Sequence, residues 1–147
     1  MLEPEPAIAP VFRFHHPVEV RFRDLDPMGH AHHSLPLVYF EEARAAYWRQ
    51  VAGRATVADI DYILAEATVR FHARITFPAK LEVAARVSRL GEKSFTMEYQ
   101  LRDAAHRLLA SGRTVQILYD YAQATSKPIP PEVRQRIEGF EGSQPPT

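Results

Sequence analysis

Apolar and polar residues alternate along several stretches of this chain, which is the pattern of β-strands with one buried face. Stretches with this period of two lie at 18–23, 68–77, 81–87 and 95–101. A last strand is predicted over 108–121, in which Gly112 is a possible β-bulge. Short turn-forming segments separate the later strands, so they are expected to pair in antiparallel fashion.

A helical period interrupts this pattern between the first and second strands. Ser34 is a plausible N-cap and Gly53 a plausible C-terminal stop, so a helix is predicted over 35–52. Its apolar residues recur at helical spacing at Pro36, Phe40, Ala43, Tyr47 and Val51. Apolar side chains surround much of its circumference, so the helix is expected to be largely buried. Glu41 and Arg44 are spaced to form an ion pair on it.

The order of these elements predicts an α+β fold, in which an antiparallel sheet packs on one long helix. Prolines cluster near both ends of the chain, and 1–10 and 141–147 are therefore predicted to be flexible tails around a domain at 11–140. Pro130-Pro131-Glu132 is predicted to open a short helix that carries Val133 and Ile137.

Composition narrows the class of protein. The chain has 147 residues, with 18 Lys and Arg against 18 Asp and Glu, and this balance argues against a nucleic-acid-binding protein. Cysteine is absent, which excludes disulfides, thiolate catalysis and cysteine-based zinc sites. The sequence shows neither a membrane span nor a secretory signal pattern, so we expect a cytoplasmic protein that does not bind membranes.

Candidate chemistry is concentrated between the first strand and the helix, at 23–34. A helix start presents backbone N–H groups without intrahelical partners, and these can stabilise a developing oxyanion. Asp26 precedes that start and could attack a carbonyl or activate water. An Asp-x-Asp-Pro segment is also a good turn sequence, so a purely structural role is open. The histidines His30, His32 and His33 match no strong metal-binding spacing, whereas His72 is expected on a strand face.

The same segment resembles a known family. Val20-Arg21-Phe22-Arg23-Asp24-Leu25-Asp26-Pro27-Met28-Gly29-His30, followed by Phe40-Glu41-Glu42-Ala43-Arg44, is similar to the 4-hydroxybenzoyl-CoA thioesterase family of hotdog-fold acyl-CoA thioesterases. Ile75-Thr76-Phe77-Pro78-Ala79 and Leu90-Gly91-Glu92-Lys93-Ser94-Phe95 resemble later segments of that family. The likeness extends over about 17–140.

The resemblance implies a five- or six-stranded antiparallel sheet wrapped around a central helix, and a homodimer or homotetramer. It implies hydrolysis of an acyl-CoA, or of an acyl carrier protein thioester, without a cofactor or a metal. Asp26 would act as nucleophile or general base, with His33 as a second catalytic residue and Asp24 ordering the loop. The backbone at Gly29, His30, His33 and Ser34 would form the oxyanion hole.

The chain departs from the family pattern in two places. His32-His33 stands where the family usually has Asn-Asn, and imidazole changes charge near neutral pH, which an amide does not. Pro36 stands where a tyrosine is usual, at a position that often lines the acyl pocket. The histidine pair leaves open a non-catalytic acyl-CoA-binding or regulatory module, and a hydratase on the same fold is a weaker alternative. Arg70 and Arg74 could contact a CoA phosphate or be solvated charges.

Overall fold

A computed structural model describes residues 10–142 of the chain. Its elements, in chain order, are strand β1 (Phe14–Glu19), helix α1 (Leu35–Gln50), strands β2 (Tyr62–Phe71), β3 (Lys80–Leu90), β4 (Ser94–Arg102), β5 (Leu108–Asp120) and β6 (Thr125–Ser126), and helix α2 (Pro131–Glu141). Two 3-10 turns lie at Phe22–Asp24 and Val57–Asp59. Of the tails predicted at 1–10 and 141–147, residues 1–9 and 143–147 lie outside the described residues.

The strands form one six-stranded antiparallel sheet in the order β1-β3-β4-β5-β2, with β6 pairing to the end of β5. Helix α1 lies across the apolar face of this sheet. Phe40 stacks on Tyr99 with ring centroids 4.7 Å apart, and Trp48 stacks on Phe95 at 5.0 Å. The predicted α+β architecture, an antiparallel sheet around one long helix, is therefore confirmed.

Two strand boundaries differ from the sequence prediction. β1 ends at Glu19, and the second half of the predicted strand 18–23 forms a 3-10 turn instead. The strand begins earlier, at Phe14, and includes Pro17, which the sheet tolerates because β1 lies at its edge. The strand predicted over 68–77 is instead β2, which begins at Tyr62 and ends at Phe71, and the residues that follow form the connection to β3.

The ion pair predicted on helix α1 does not form. Arg44 is buried rather than paired with Glu41: its Nη1 donates to the Tyr99 hydroxyl at 3.1 Å, and its guanidinium lies 5.8 Å from the centroid of the Tyr62 ring. Within residues 10–142 no ion pair joins Arg44 to Glu41. Arg44 lies on the face of α1 whose aromatic side chains stack on the sheet, so its guanidinium is buried next to Tyr99 and Tyr62.

Helix α2 begins at Pro131, as predicted, and buries Val133 and Ile137. It runs through Glu141, the first residue of the segment predicted as a tail, and the Glu141 side chain is fully buried. Glu141 Oε2 accepts hydrogen bonds from the Tyr47 hydroxyl at 2.6 Å and from the Val87 N–H at 3.0 Å. These contacts fix the end of α2 to both α1 and β3. Neither of the described helices is long and apolar enough to cross a membrane.

Gly112 is not a bulge, because it pairs in register with Val69 on β2 and Tyr99 on β4. Its lack of a side chain serves packing instead. A Cβ at this position would lie 2.5 Å from Phe40 Cε2 and 3.0 Å from the Thr68 carbonyl oxygen. Glycine therefore allows the Phe40 ring of α1 to rest directly on the backbone of β5.

We expect Gly112→Ala to lower the free energy of unfolding by about 1–3 kcal/mol, because the added methyl group overpacks the contact with Phe40. Urea unfolding followed by circular dichroism measures this. The matched control is Gly139→Ala on α2, where a Cβ meets no atom within 4 Å and alanine favours the helix by about 0.5–1 kcal/mol. Equal stabilities for Gly112→Ala and the wild type would contradict the packing role.

Candidate active site

The loop between β1 and α1 is held in place by backbone hydrogen bonds to the connection between β2 and β3. The Ala31 N–H donates to the Ile75 carbonyl at 2.8 Å, and His30 forms a β-bridge with Thr76. Within the loop, the His32 N–H donates to the Asp24 carbonyl at 2.8 Å. These contacts hold the loop in one position against the connection between β2 and β3.

Asp24 anchors this loop to the helix. Its carboxylate is buried, and Oδ2 accepts hydrogen bonds from the Arg21 N–H at 2.8 Å and from the Tyr39 hydroxyl at 2.9 Å. Burial and the hydrogen bond to Asp24 raise the pKa of Tyr39 well above its usual range, so the hydroxyl stays a donor at any physiological pH. Asp24 therefore fixes where the chain leaves the 3-10 turn and where α1 begins.

Asp26 is half-buried in a tight turn of the same loop. Its Oδ1 accepts hydrogen bonds from the Met28 N–H at 2.9 Å and, more weakly, from the His30 N–H at 3.3 Å. Gly29 closes the turn at a φ of 80°, a left-handed conformation that favours glycine. Asp26 Oδ2 has no hydrogen-bond partner among the described residues, so one oxygen is held while the other is available.

The four backbone N–H groups predicted to form the oxyanion hole differ in their hydrogen-bond acceptors. The Gly29 N–H donates to the Asp26 carbonyl at 3.0 Å, the His30 N–H to Asp26 Oδ1, and the Ser34 N–H to His32 Nδ1 at 3.2 Å. In the part of the chain that the structure describes, the His33 N–H has no acceptor. Of the four predicted groups, it is the one that is free to bind an oxyanion.

His32 and His33 lie just before the start of α1. The rings of His32 and His33 lie with centroids 3.9 Å apart, and His32 Nδ1 is 2.9 Å from the Ser34 hydroxyl. Ser34 precedes the helix but does not cap it with its side chain, contrary to the prediction, because its hydroxyl is engaged with His32 and its backbone is already helical. The His32 imidazole thus engages the Ser34 hydroxyl, which would otherwise accept a hydrogen bond from an N–H group of the first helical turn.

A cavity of about 420 Å³ opens beside these residues. One wall comes from the loop and the helix start, and the other from the segment 71–75, which begins at the last residue of β2. The lining residues are Asp26, Met28, His30, Ala31, His32, His33, Pro36, Phe71, His72, Ala73, Arg74 and Ile75. Asp26 and His33 therefore share one cavity, as the sequence-based site requires.

The second wall includes residues that the sequence did not assign to the site. His72 is held by a hydrogen bond between its Nε2 and the Ser111 hydroxyl at 2.8 Å. No local motif marks this residue, because its place in the cavity depends on the pairing of Ala31 with Ile75 across the fold. Within residues 10–142 the structure contains no cluster of three or more His, Cys, Asp or Glu side chains suited to a metal ion.

Comparison with known proteins assigns the family. Residues 20–137 match the model of the thioesterase-like superfamily, and the chain belongs to that superfamily. A thioesterase from Thermus thermophilus, whose crystal structure is a complex with coenzyme A and Zn, is 29% identical; the match covers 89% of this chain and 96% of that one, with a TM-score of 0.80.

Two further relatives are more distant. Slr0204 from Synechocystis, a 1,4-dihydroxy-2-naphthoyl-CoA thioesterase, shares the fold at 19% identity, with a TM-score of 0.73 over 84% of this chain and 94% of its own. The YsmA protein of Bacillus subtilis (strain 168) is 26% identical over 88 residues, which is 60% of this chain and 60% of YsmA. The predicted hotdog fold is thereby confirmed.

We expect Tyr39→Phe to lower the free energy of unfolding by about 1.5–3 kcal/mol, because it removes a buried hydrogen bond to the Asp24 carboxylate. Urea unfolding gives the stability, and hydrogen exchange at the His32 N–H reports on the loop. The control is Tyr121→Phe, which removes a part-buried bond from the largely exposed Tyr121 to the Tyr62 carbonyl and should cost far less. Equal losses in the two variants would show that Asp24 does not anchor the loop.

Proposed function

We propose that this protein is an acyl-CoA thioesterase that hydrolyses the thioester to a free acid and CoA. The observation that carries this proposal is the Asp26 carboxylate, which lines a cavity beside the start of a buried helix with one oxygen unengaged. Membership of the thioesterase-like superfamily and the CoA complex of the Thermus relative support it.

Two roles of Asp26 fit the geometry. As a nucleophile, Oδ2 attacks the thioester carbonyl, CoA leaves as the thiolate, and water hydrolyses the resulting anhydride. As a general base, the carboxylate takes a proton from a water that attacks the same carbon; the C–S bond then breaks, CoA leaves as the thiolate and takes up that proton. In both routes the hydrogen bonds from Met28 and His30 to Oδ1 hold the carboxylate in one orientation.

Negative charge develops on the carbonyl oxygen in either route, and we assign its stabilisation to the free His33 N–H at the start of α1. One such donor typically contributes about 3 kcal/mol to transition-state stabilisation. The helix dipole adds to this because its positive end points at the same place. The His33 side chain, which lines the cavity, is proposed to help position the attacking group or the substrate.

We propose that two copies of the chain associate through β2. This strand forms one edge of the sheet, and Leu64 and Phe71 on its helix-facing side are 49% and 57% exposed. Leu37 and Val38 of α1 are also exposed apolar residues. A long apolar edge strand is a template for pairing with a second strand, and Phe71 places that edge next to the candidate active site. A homotetramer would be built from such dimers.

We expect Asp26→Asn to reduce turnover by at least about a hundredfold, because the amide neither attacks a carbonyl nor accepts a proton from water. Release of free CoA thiol from short, long and aromatic acyl-CoAs measures this. The matched control is Asp120→Asn: Asp120 also accepts two backbone hydrogen bonds in an exposed turn, from Ala122 and Gln123, but lies outside the cavity.

Unchanged turnover in Asp26→Asn would reject the proposed mechanism. One alternative, a non-catalytic acyl-CoA-binding module, would instead show thermal stabilisation by acyl-CoA without any release of thiol. The two variants separate a structural effect from a chemical one, because both lose a turn aspartate and only Asp26→Asn loses a carboxylate in the cavity.

For the dimer, we expect Leu64→Glu to convert the protein to a monomer, because a carboxylate on the apolar side of β2 would be buried without a partner. Light scattering after size exclusion gives the mass. Ala104→Glu, in the exposed turn between β4 and β5, is the control and should leave the mass unchanged. A Leu64→Glu protein of wild-type mass would contradict pairing through β2.

A further inference from the structure

Two phenylalanines lie outside the core next to the candidate active site. Phe22, in the 3-10 turn, is 77% exposed, and Phe77, in the connection between β2 and β3, is 42% exposed. Their rings meet edge to face with centroids 6.2 Å apart at an angle of 76°. Most large aromatic side chains of the described chain are buried, so this exposed pair forgoes the stabilisation that burial would provide.

The surroundings of this pair combine a hollow with positive charge. A cavity of about 430 Å³ beside Phe77 is lined by Glu19, Val20, Phe77, Pro78, Ala79 and Lys80. Arg21, Arg23 and Lys80 are exposed, whereas Glu19 is the one exposed carboxylate in the segments 19–24 and 77–80. Asp24 forms no ion pair with these cations within residues 10–142, and its buried carboxylate instead accepts hydrogen bonds from the Arg21 N–H and the Tyr39 hydroxyl.

The pair also lies within reach of the reacting centre. Phe22 and Asp26 are four positions apart in the chain, so their Cα atoms are at most about 14 Å apart. Phe77 follows directly on Thr76, which bridges to His30 of the active-site loop. A ligand whose reacting end lies at Asp26 and whose other end is a ring with phosphates can therefore extend onto these side chains through a flexible arm.

We propose that Phe22 and Phe77, flanked by Arg23 and Lys80, bind the adenine nucleotide end of coenzyme A. This rests on the proposed thioesterase function and adds how the carrier is recognised. An adenine ring stacks favourably on an exposed aromatic side chain, and arginine and lysine side chains attract its phosphates. Polar, charged surface around an aromatic pair fits a nucleotide better than it fits a fatty chain.

The location argues against the β2 dimer interface as the reason for this exposure. Val20, Ala79 and Lys80 lie at the β1–β3 side of the sheet, and β4 and β5 separate that side from the β2 edge proposed for dimerisation. An acyl carrier protein would present the same phosphopantetheine arm but no adenine. The aromatic pair therefore distinguishes CoA from a protein carrier.

Binding of free CoA and of pantetheine, measured by calorimetry, tests the proposal without requiring turnover. We expect Phe22→Ala to weaken CoA binding about tenfold, from the loss of one stacking contact, and Phe22→Tyr to retain wild-type affinity because the ring is kept. Arg23→Ala should weaken CoA binding and reduce its salt dependence. Neither alanine variant should alter pantetheine binding.

The control for charge is Arg89→Ala, because Arg89 is exposed on β3 about 30 Å along the strand from Lys80 and should leave CoA binding unchanged. Wild-type CoA affinity in Phe22→Ala, an equal loss for pantetheine, or a change in oligomeric mass would each overturn the proposal. So would hexanoyl-CoA and hexanoyl-N-acetylcysteamine losing kcat/KM equally in Phe22→Ala.

Failure of the thioesterase proposal gives a different result. A protein that binds CoA through Phe22 but releases no thiol from hexanoyl-CoA or from hexanoyl-N-acetylcysteamine would retain the nucleotide site and lose the hydrolase assignment. A protein that hydrolyses both thioesters, with Phe22→Ala without effect on either, would keep the hydrolase assignment and lose the nucleotide site.

Discussion

The buried carboxylate of Asp24 is the contact on which the candidate site depends. It binds the Arg21 N–H and the Tyr39 hydroxyl at once, and so joins the 3-10 turn to the first turns of α1. The Asp24 carbonyl also accepts the His32 N–H, which closes the loop. Breaking these bonds is costly, because the Asp24 carboxylate and the Tyr39 side chain are buried and would be left without partners. The position of Asp26 follows from this frame.

The helix that carries the site is in turn fixed by packing that combines aromatic stacking with buried polar contacts. Tyr99 stacks on Phe40 and receives a hydrogen bond from Arg44, and its hydroxyl lies 2.6 Å from Thr114 Oγ1. Burial raises the pKa of Tyr99, while the nearby Arg44 charge opposes that shift. Directional bonds of this kind fix the rotation of α1 about its axis, which apolar contacts alone would fix less sharply.

Rigid support and chemical availability are divided between neighbouring groups of the loop. Gly29, His30 and Ser34 use their N–H groups to hold the loop, whereas the His33 N–H, without an acceptor within residues 10–142, is left for a ligand. The same division applies to Asp26, where Oδ1 is held and Oδ2 is not. Preorganisation of this kind lowers the reorganisation needed when charge develops on a bound carbonyl. A loop of the same sequence without its backbone contacts to residues 75–76 would lack this preorganisation.

Alternation, helical spacing and a turn motif are local properties, and they were enough to predict the fold class, the helix over most of 35–52 and the candidate aspartate. Contacts between residues distant in the chain became apparent in the folded structure alone. Gly112 is a packing site because Phe40 lies over it, Arg44 is buried because Tyr99 lies opposite, and His72 lines the cavity because Ala31 pairs with Ile75. No local pattern encodes which strand faces a given residue, and such contacts therefore become visible only when the chain is folded.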